Sequence, residues 1–254
     1  MGREVSALTS NQVSRRNIRL LILLSAAVYF SSYLTRLNYS AVLVEMIASE
    51  HYTRSAASAA LTGLFITYGA GQLLSGYLGD RTKPQLLIFA GLLVSAAMNL
   101  LIPLCPGTGL MTAVWCVNGL AQAMMWPPLV RILSELLSEA DYKTATVRVS
   151  WGSSLATILI YLTAPLFIQW GGWRLIFFVC AVFALVMAFV WIFCFRKLES
   201  KMRANRLVPV AHSAVNGKGT GIPSTLWGVL ALIMLAIVMQ GLLRDGITTW
   251  MPSY

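Results

Sequence analysis

The sequence contains little charge, and acidic residues are especially scarce. Of its 254 residues only 11% are charged, with 9 Asp and Glu against 19 Lys and Arg, whereas a soluble domain carries about 25% charged residues. The hydrophobic share is 57% and the mean hydropathy is +0.72. This composition excludes a soluble enzyme, a DNA-binding domain and a disordered chain, because a water-soluble globule could not bury so much apolar surface.

Sequence patterns for metal binding, disulfide formation and catalysis are also missing. Neither a CxxC pair nor a His at metal-ligating spacing accompanies the four cysteines, which lie in or near apolar runs: Cys105, Cys116, Cys180 and Cys194. The two histidines, His51 and His212, lie in predicted loops. No general base accompanies a nucleophile in the arrangement that an enzyme needs. We therefore predict that the protein is not an enzyme and holds no metal and no cofactor.

Long apolar runs fill most of the sequence. A transmembrane helix needs about 20 apolar residues, and seven runs of this kind are present: 19–43, 57–78, 85–104, 109–135, 146–169, 174–195 and 225–249. The runs lack the alternation of a transmembrane strand, and their glycines allow helices to approach closely in lipid. The sequence therefore predicts an all-α, polytopic membrane protein.

One long polar stretch, residues 196–222, interrupts the apolar runs. It is basic and rich in turn-forming residues, which is typical of a linker between domains. It separates a predicted six-helix transmembrane bundle, residues 1–195, from residues 223–254, which hold the first helix of an incomplete second bundle. We expect the sequence to be a fragment of a twelve-span protein that is cut after its seventh helix.

The basic residues indicate which side of the membrane each loop faces. Most of them lie before the first span, in the connections on that same side, and in the linker. Because cytoplasmic loops carry the excess of Lys and Arg, the N-terminus and the linker are predicted to be cytoplasmic. A lipid bilayer therefore explains the formal charge of +10 without a nucleic acid. We expect a monomer in a bacterial inner (plasma) membrane.

Two arginines, Arg36 and Arg244, lie inside predicted spans. An arginine in hydrocarbon costs at least about 2.5–3.5 kcal/mol, so such a residue faces a cavity or a partner. Arg36 shares one helix face with Tyr29 and Tyr33, at the spacings i, i+4 and i+7. At a rise of about 1.5 Å per residue, both arginines lie roughly 26 Å from the inner ends of their helices.

Two guanidiniums at one depth favour a doubly charged anion as ligand. Each presents a planar fork of donors, so a pair of them suits inorganic phosphate or an organic phosphate better than a carboxylate. Two other interpretations stay open at this point. Either arginine could extend to the outer interface, or it could pair with a carboxylate, which for Arg244 would be Asp245.

The fourth span contains two consecutive prolines after Trp126. Pro127 and Pro128 predict a bend or a break in that helix, because proline donates no backbone hydrogen bond and clashes with the preceding turn. Such a break is tolerated where the backbone lines a cavity. A simple packing kink is the alternative interpretation.

Several short strings of the sequence belong to one known pattern. They are Gly76–Arg81 after the second span, the Gly-Trp-Arg start of the sixth span, Tyr29-x3-Tyr33-Leu34-x-Arg36-x-Asn38, Tyr68-Gly69, Trp126-Pro127-Pro128, and Leu242-Leu243-Arg244-x-Gly246 with Trp250-x-Pro252-x-Tyr254. With the layout of six spans, a linker and a seventh span, they resemble the major facilitator superfamily. Within it they resemble the organophosphate:phosphate antiporters, which include bacterial glycerol-3-phosphate and hexose-6-phosphate transporters.

The resemblance implies a twelve-helix transporter that binds its substrate between two six-helix bundles. The bundles would rock to expose the site to each side in turn, and inorganic phosphate would exchange for a phosphate ester. The phosphate-binding pair of the family carries over onto Arg36 and Arg244. The lining of its cavity carries over onto Tyr29, Tyr33, Tyr68, Gln72 and Trp126. Its conformational, or gating, loop carries over onto Gly76, Gly79, Asp80 and Arg81.

The sequence departs from the glycerol-3-phosphate transporters at four positions. Gln72 takes the place of a lysine, and Gly152 and Leu155 take the places of an asparagine and a histidine. Gly241 takes the place of a tyrosine. These differences remove positive charge and hydrogen bonds but leave the arginine pair. Two alternatives therefore stay open: a carrier of another organic anion coupled to protons, and a membrane sensor of a sugar phosphate.

Overall fold

The computed structural model describes residues 15–204 and three isolated positions beyond them, Gly228, Leu232 and Met239. The chain divides into two compact units, Met1–Leu207 and Val208–Tyr254. The second unit falls almost wholly outside the described residues. The predicted seventh span, 225–249, and with it Arg244, therefore lies outside the part of the chain that the structure describes, apart from those three positions.

Seven α-helices make up the described part of the first unit. They are α1 (Arg15–Glu50), α2 (Arg54–Arg81), α3 (Pro84–Leu101), α4 (Thr108–Ala123), α5 (Trp126–Leu136), α6 (Glu139–Gly171) and α7 (Trp173–Ala204). A short 3-10 turn, Ile102–Leu104, extends α3. No strand is present in residues 15–204, and the predicted all-α class is confirmed.

The first six predicted spans coincide with these helices. Four segments are long and apolar enough to cross a membrane on their own: Arg15–Glu50, Pro84–Leu104, Glu139–Gly171 and Trp173–Met202. The second span, α2, falls short because Gly, Ser, Thr and Gln dilute its apolar residues. Helix α7 continues to Ala204, so the first residues of the predicted linker are helical.

The fourth predicted span, 109–135, is divided into two helices. Helix α4 ends at Ala123 and α5 begins at Trp126, with Met124 and Met125 in a turn between them. The two prolines follow in the first turn of α5, where a missing N–H group leaves no intrahelical hydrogen bond unmade. The break predicted from the proline pair is thus confirmed, and it lies just before Trp126.

Glycines allow two of the main helix pairs in the bundle to pack closely. Helix α2 packs along α4, α1 along α6, and α3 along α7. Gly119 of α4 lies so close to α2 that an added Cβ would stand 2.5 Å from the carbonyl oxygen of Leu64. A Cβ on Gly152 of α6 would stand 2.5 Å from the carbonyl oxygen of Ala26. Both helix crossings therefore depend on the absence of a side chain.

The apolar core forms two clusters along α1. One surrounds Tyr39, whose ring centroid lies 5.1 Å from that of Trp115. The ring centroids of Trp115 and Phe177 are in turn 5.9 Å apart. The other surrounds Met125 and Trp191. Arg36 lies three residues from Tyr39, and Tyr29 packs against the second cluster. The α1 face that carries the predicted site therefore runs from one cluster to the other.

The end of α1 is tied to the start of α7. A carboxylate oxygen of Glu50 accepts hydrogen bonds from Arg174 Nη2 at 2.7 Å and from Trp173 Nε1 at 3.2 Å. Gly172, at φ 71°, ends α6 and turns the chain into α7. The Gly-Trp-Arg start of the sixth span thus joins the start of α7 to the end of α1.

Candidate anion-binding site

Arg36 lies in the middle of α1 and is buried, with 6% of its surface exposed. Its guanidinium carbon stands 4.4 Å from the ring centroid of Tyr68, 5.5 Å from that of Phe65 and 5.9 Å from that of Tyr33. A cation within about 6 Å of an aromatic face is attracted by the ring quadrupole. The rings of α1 and α2 thus stabilise a guanidinium that would be costly to hold in hydrocarbon.

The aromatic contacts continue from Tyr33 towards α5. The rings of Tyr33 and Tyr29 meet edge to face with centroids 5.1 Å apart. Tyr29 also packs against Trp126, the first residue of α5, at 4.9 Å. Five residues predicted from sequence therefore form one continuous series of contacts across three helices: Trp126, Tyr29, Tyr33, Arg36 and Tyr68. We call this series the arginine–aromatic site.

One residue that contacts the arginine–aromatic site was missed by the sequence analysis. Phe65 lies one turn before Tyr68 on the same face of α2, and its ring is closer to Arg36 than that of Tyr33. The spacing i, i+3 from Tyr68 is the signal that could have identified it. Gln72 lies one turn beyond Tyr68 on the same face and is half-buried. Arg244 lies outside the described residues.

Among the described residues, this site offers the positive group of Arg36 with phenol donors beside it. A guanidinium offers five N–H donors in a rigid fork that matches the oxygens of a carboxylate or phosphate. Tyr29, Tyr33 and Tyr68 each add a hydroxyl that can donate to an anion. The site is therefore suited to an oxyanion, and its ring faces are suited to the apolar edge of an organic molecule.

The four residues of the predicted gating loop lie in the last turns of α2, so the structure places them in a helix and not in a loop. Gly76, at two turns from Tyr68, stands roughly 12 Å along the helix from that residue. The carbonyl of Gly79 accepts a hydrogen bond from Arg131 Nη1 of α5, and Arg131 Nε bonds to Glu135 at 2.7 Å. The guanidinium of Arg81 lies 4.1 Å from the ring centroid of Tyr77. Asp80, the remaining member, lies between Gly79 and Arg81 in the last turn of α2.

A cavity of about 410 Å³ opens beside this end of α2. It is lined by charged and polar side chains of α2, α3, α5 and α7, which include Arg81, Lys83, Gln85, Arg131, Glu135 and Glu199. The contact between Arg131 and Gly79 was not predicted from the sequence. It joins the last turns of α2 directly to α5, the second half of the broken fourth span.

Comparison with protein families gives the class of this chain. Residues 25–254 match the family model of the Major Facilitator Superfamily, and the chain belongs to that family. The match includes all of the arginine–aromatic site and the four predicted gating residues. Family membership favours a transporter over an enzyme, in agreement with the absence of catalytic patterns in the sequence.

Curated relatives carry names related to phosphate esters. The chain is 26% identical over 164 residues to the probable hexose phosphate transport protein of Chlamydia muridarum, a match of 65% of this chain and 36% of that protein. It is 25% identical to the glycerol-3-phosphate transporter of Bacillus subtilis over 64% of this chain and 37% of that protein. It is 26% identical to the membrane sensor protein UhpC of Salmonella typhimurium over 94% of this chain and 56% of that protein. The predicted resemblance to organophosphate transporters is confirmed.

The chain matches only part of the length of these relatives, between 36% and 56%. Among solved structures, a bacterial homologue of the human lysosomal transporter Spinster, in an inward-facing and unoccupied conformation, superimposes with a TM-score of 0.62. The two share 13% identity, over 71% of this chain and 43% of that one. This likeness supports the fold and carries no information about the ligand.

Proposed function

We propose that the full-length protein is a secondary active transporter of an organic phosphate, of the sugar phosphate or glycerol phosphate type. It exchanges this substrate for inorganic phosphate by alternating access. The observation that carries the proposal is the buried guanidinium of Arg36 among aromatic rings in the middle of α1. The names of the hexose phosphate and glycerol-3-phosphate relatives support the choice of substrate class.

The proposed site uses Arg36 together with Arg244 of the seventh predicted span. Two guanidinium forks bind a doubly charged phosphate, and the tyrosine hydroxyls donate to its remaining oxygens. A site with two arginines and no anion is costly to close off from water, because both charges lose their hydration. Bound phosphate lowers that cost, so closure of the site depends on occupancy and the protein moves when it is loaded.

We propose that the protein lies in the inner membrane of the cell and that its N-terminus faces the cytoplasm. Arg15 at the start of α1 pairs with Asp141 at the start of α6 at 2.8 Å, so both starts lie at one end of the bundle. Arg16 and Arg19 lie at that end as well, and Lys143 follows Asp141 closely. The cluster of basic residues at one end agrees with the positive-inside pattern.

A second candidate function is supported by one of the relatives. The membrane sensor protein of Salmonella typhimurium matches 94% of this chain, a larger share than the transporters do. A sensor would use the same arginine–aromatic site to bind its ligand and would pass the signal to a partner without sustained flux. Ligand binding alone therefore does not separate the two functions, but measured transport does.

Transport assays on the reconstituted full-length protein distinguish these functions. Proteoliposomes loaded with inorganic phosphate are expected to take up labelled glucose 6-phosphate or glycerol 3-phosphate, whereas vesicles without internal phosphate take up little. Uptake that follows an imposed proton gradient and ignores internal phosphate would instead support a proton-coupled carrier of another anion. Saturable binding without any uptake would support the sensor.

The ring of Tyr68 is expected to contribute measurably to phosphate binding. Its centroid lies 4.4 Å from the guanidinium carbon of Arg36, and a cation–π contact of this kind contributes about 0.5–2 kcal/mol. Tyr68→Leu is therefore expected to raise the phosphate Kd by about two- to thirtyfold. Tyr68→Phe keeps the ring and removes only the hydroxyl, so it is expected to lose less affinity than Tyr68→Leu. Equal losses in both variants would assign the effect to the hydroxyl and not to the ring.

A further inference from the structure

A second face of α1 carries a buried network of uncharged polar side chains. Thr35, the residue before Arg36, meets side chains of α3 and α4 there. The members are almost fully buried, with exposed fractions between 0% and 2%: Thr35, Ser95, Asn99, Asn118 and Gln122. Adjacent helical residues point about 100° apart, so this network and the arginine–aromatic site occupy neighbouring faces of the same turn.

Thr35 is the centre of the network. Its carbonyl oxygen accepts hydrogen bonds from Asn99 Nδ2 and Asn118 Nδ2, both at 3.1 Å. Its hydroxyl oxygen accepts from Gln122 Nε2 at 3.0 Å. Ser95 connects the outer members, because its hydroxyl donates to Asn118 Oδ1 at 2.7 Å and accepts from Gln122 Nε2 at 2.9 Å.

The network also reaches the backbone of α1 on the far side of Arg36. Asn38 Nδ2 donates to Asn99 Oδ1 at 2.6 Å, and Asn38 Oδ1 accepts from the backbone N–H of Tyr39 at 2.9 Å. In a regular α-helix the acceptor of that N–H group is the carbonyl of Thr35. Side chains of α1, α3 and α4 therefore hydrogen-bond to backbone groups in the turn that contains Arg36.

We propose that this network positions Arg36 by fixing the rotation of α1 about its own axis. Rotation of α1 would separate Thr35 from three side-chain donors in a buried region, where an unpaired polar group is costly. Apolar side chains could pack the same helices together, but they would not select one rotation so strictly. The inference rests on the proposed function, because the network would act by directing the Arg36 guanidinium towards a bound phosphate. Thr35, Ser95, Asn99, Asn118 and Gln122 are thus positioning residues that do not touch the ligand.

Two pairs of variants of the full-length protein test the positioning role. Thr35→Val removes the hydroxyl at nearly constant shape, and Thr35→Ser restores it. Ser95→Ala removes a network hydroxyl, and Ser75→Ala removes one from a serine of α2 that is equally buried, at 1% exposure, and lies outside the network. The measurements are the Kd for inorganic phosphate and the melting temperature of the purified protein in detergent.

We expect Thr35→Val and Ser95→Ala to raise the phosphate Kd by about five- to tenfold, because each removes a hydroxyl and its hydrogen bonds from a buried network. Thr35→Ser and Ser75→Ala should remain within about twofold of the wild type, since neither removes a network bond. Wild-type affinity in Thr35→Val would overturn the positioning role. So would a loss of affinity that merely follows the melting temperature and is the same in Ser75→Ala. A wild type that binds no phosphate would instead overturn the proposed function, and the positioning role with it.

Discussion

Replacement of Arg36 by lysine is expected to raise the phosphate Kd of the full-length protein by about 30- to 100-fold. Lysine keeps the positive charge but loses the planar fork that binds two oxygens at once. A hydrogen bond to a charged group contributes about 1.5–3 kcal/mol, and 1.4 kcal/mol corresponds to a factor of ten in Kd. The site also loses the guanidinium that lies 4.4 Å from the Tyr68 ring. Equilibrium binding of labelled phosphate to purified protein measures the change.

The matched control for this prediction is Arg174→Lys. Arg174 lies at the start of α7. Its guanidinium is half-exposed and bonds to Glu50 at 2.7 Å. Exposed ion pairs contribute little to stability, so this variant should fold and bind phosphate as the wild type does. Similar losses in Arg36→Lys and Arg174→Lys would contradict a specific role for Arg36 and would point to general charge effects.

Addition of a single methyl group at either of two helix crossings is expected to destabilise the bundle strongly. Gly119→Ala would place its Cβ 2.5 Å from the Leu64 carbonyl oxygen, and Gly152→Ala would place it 2.5 Å from that of Ala26. Both neighbours are backbone atoms, so the helices themselves must separate. Overpacking of this kind costs about 1–3 kcal/mol, and in each case the whole helix pair must move. Thermal unfolding in detergent and the yield of folded protein measure the effect.

The control is the same substitution at a glycine with space around it. A Cβ on Gly69 of α2 would meet no atom within 4 Å, and alanine is the better helix former by about 1 kcal/mol. Gly69→Ala should therefore melt at or slightly above the temperature of the wild type. Unchanged melting of Gly119→Ala and Gly152→Ala would contradict the close crossings of α2 with α4 and of α1 with α6.

The face of α1 that carries the candidate site could be predicted from the sequence. The spacing of Tyr29, Tyr33 and Arg36 places them together on any α-helix, and the ring contacts of the structure agree with that. The break before Trp126 was equally predictable, because a proline pair cannot continue a helix. In both cases local geometry decides the outcome, and no knowledge of the neighbouring helices is required.

The partners of that face could not be predicted, because they depend on how each neighbouring helix is rotated. Phe65 differs little from the other apolar residues of α2 until the structure places its ring 5.5 Å from Arg36. The Thr35 network is hidden for a similar reason. Ser, Thr, Asn and Gln without charge leave only a weak pattern in an apolar sequence, and which of them meet is decided by the packing of three helices. The contact of Arg131 with Gly79 joins α5 to the end of α2, and these two segments are far apart in the sequence.

The measurement that tests the account most directly is a double-mutant cycle on Arg36 and Arg244. The phosphate Kd is measured for the full-length wild type, Arg36→Lys, Arg244→Lys and the double variant. If both guanidiniums hold one phosphate, each single variant loses affinity, and the double loss departs from the product of the single losses by at least about threefold, as expected for coupled residues. Losses that simply multiply, or full affinity in Arg244→Lys, would contradict a shared phosphate site.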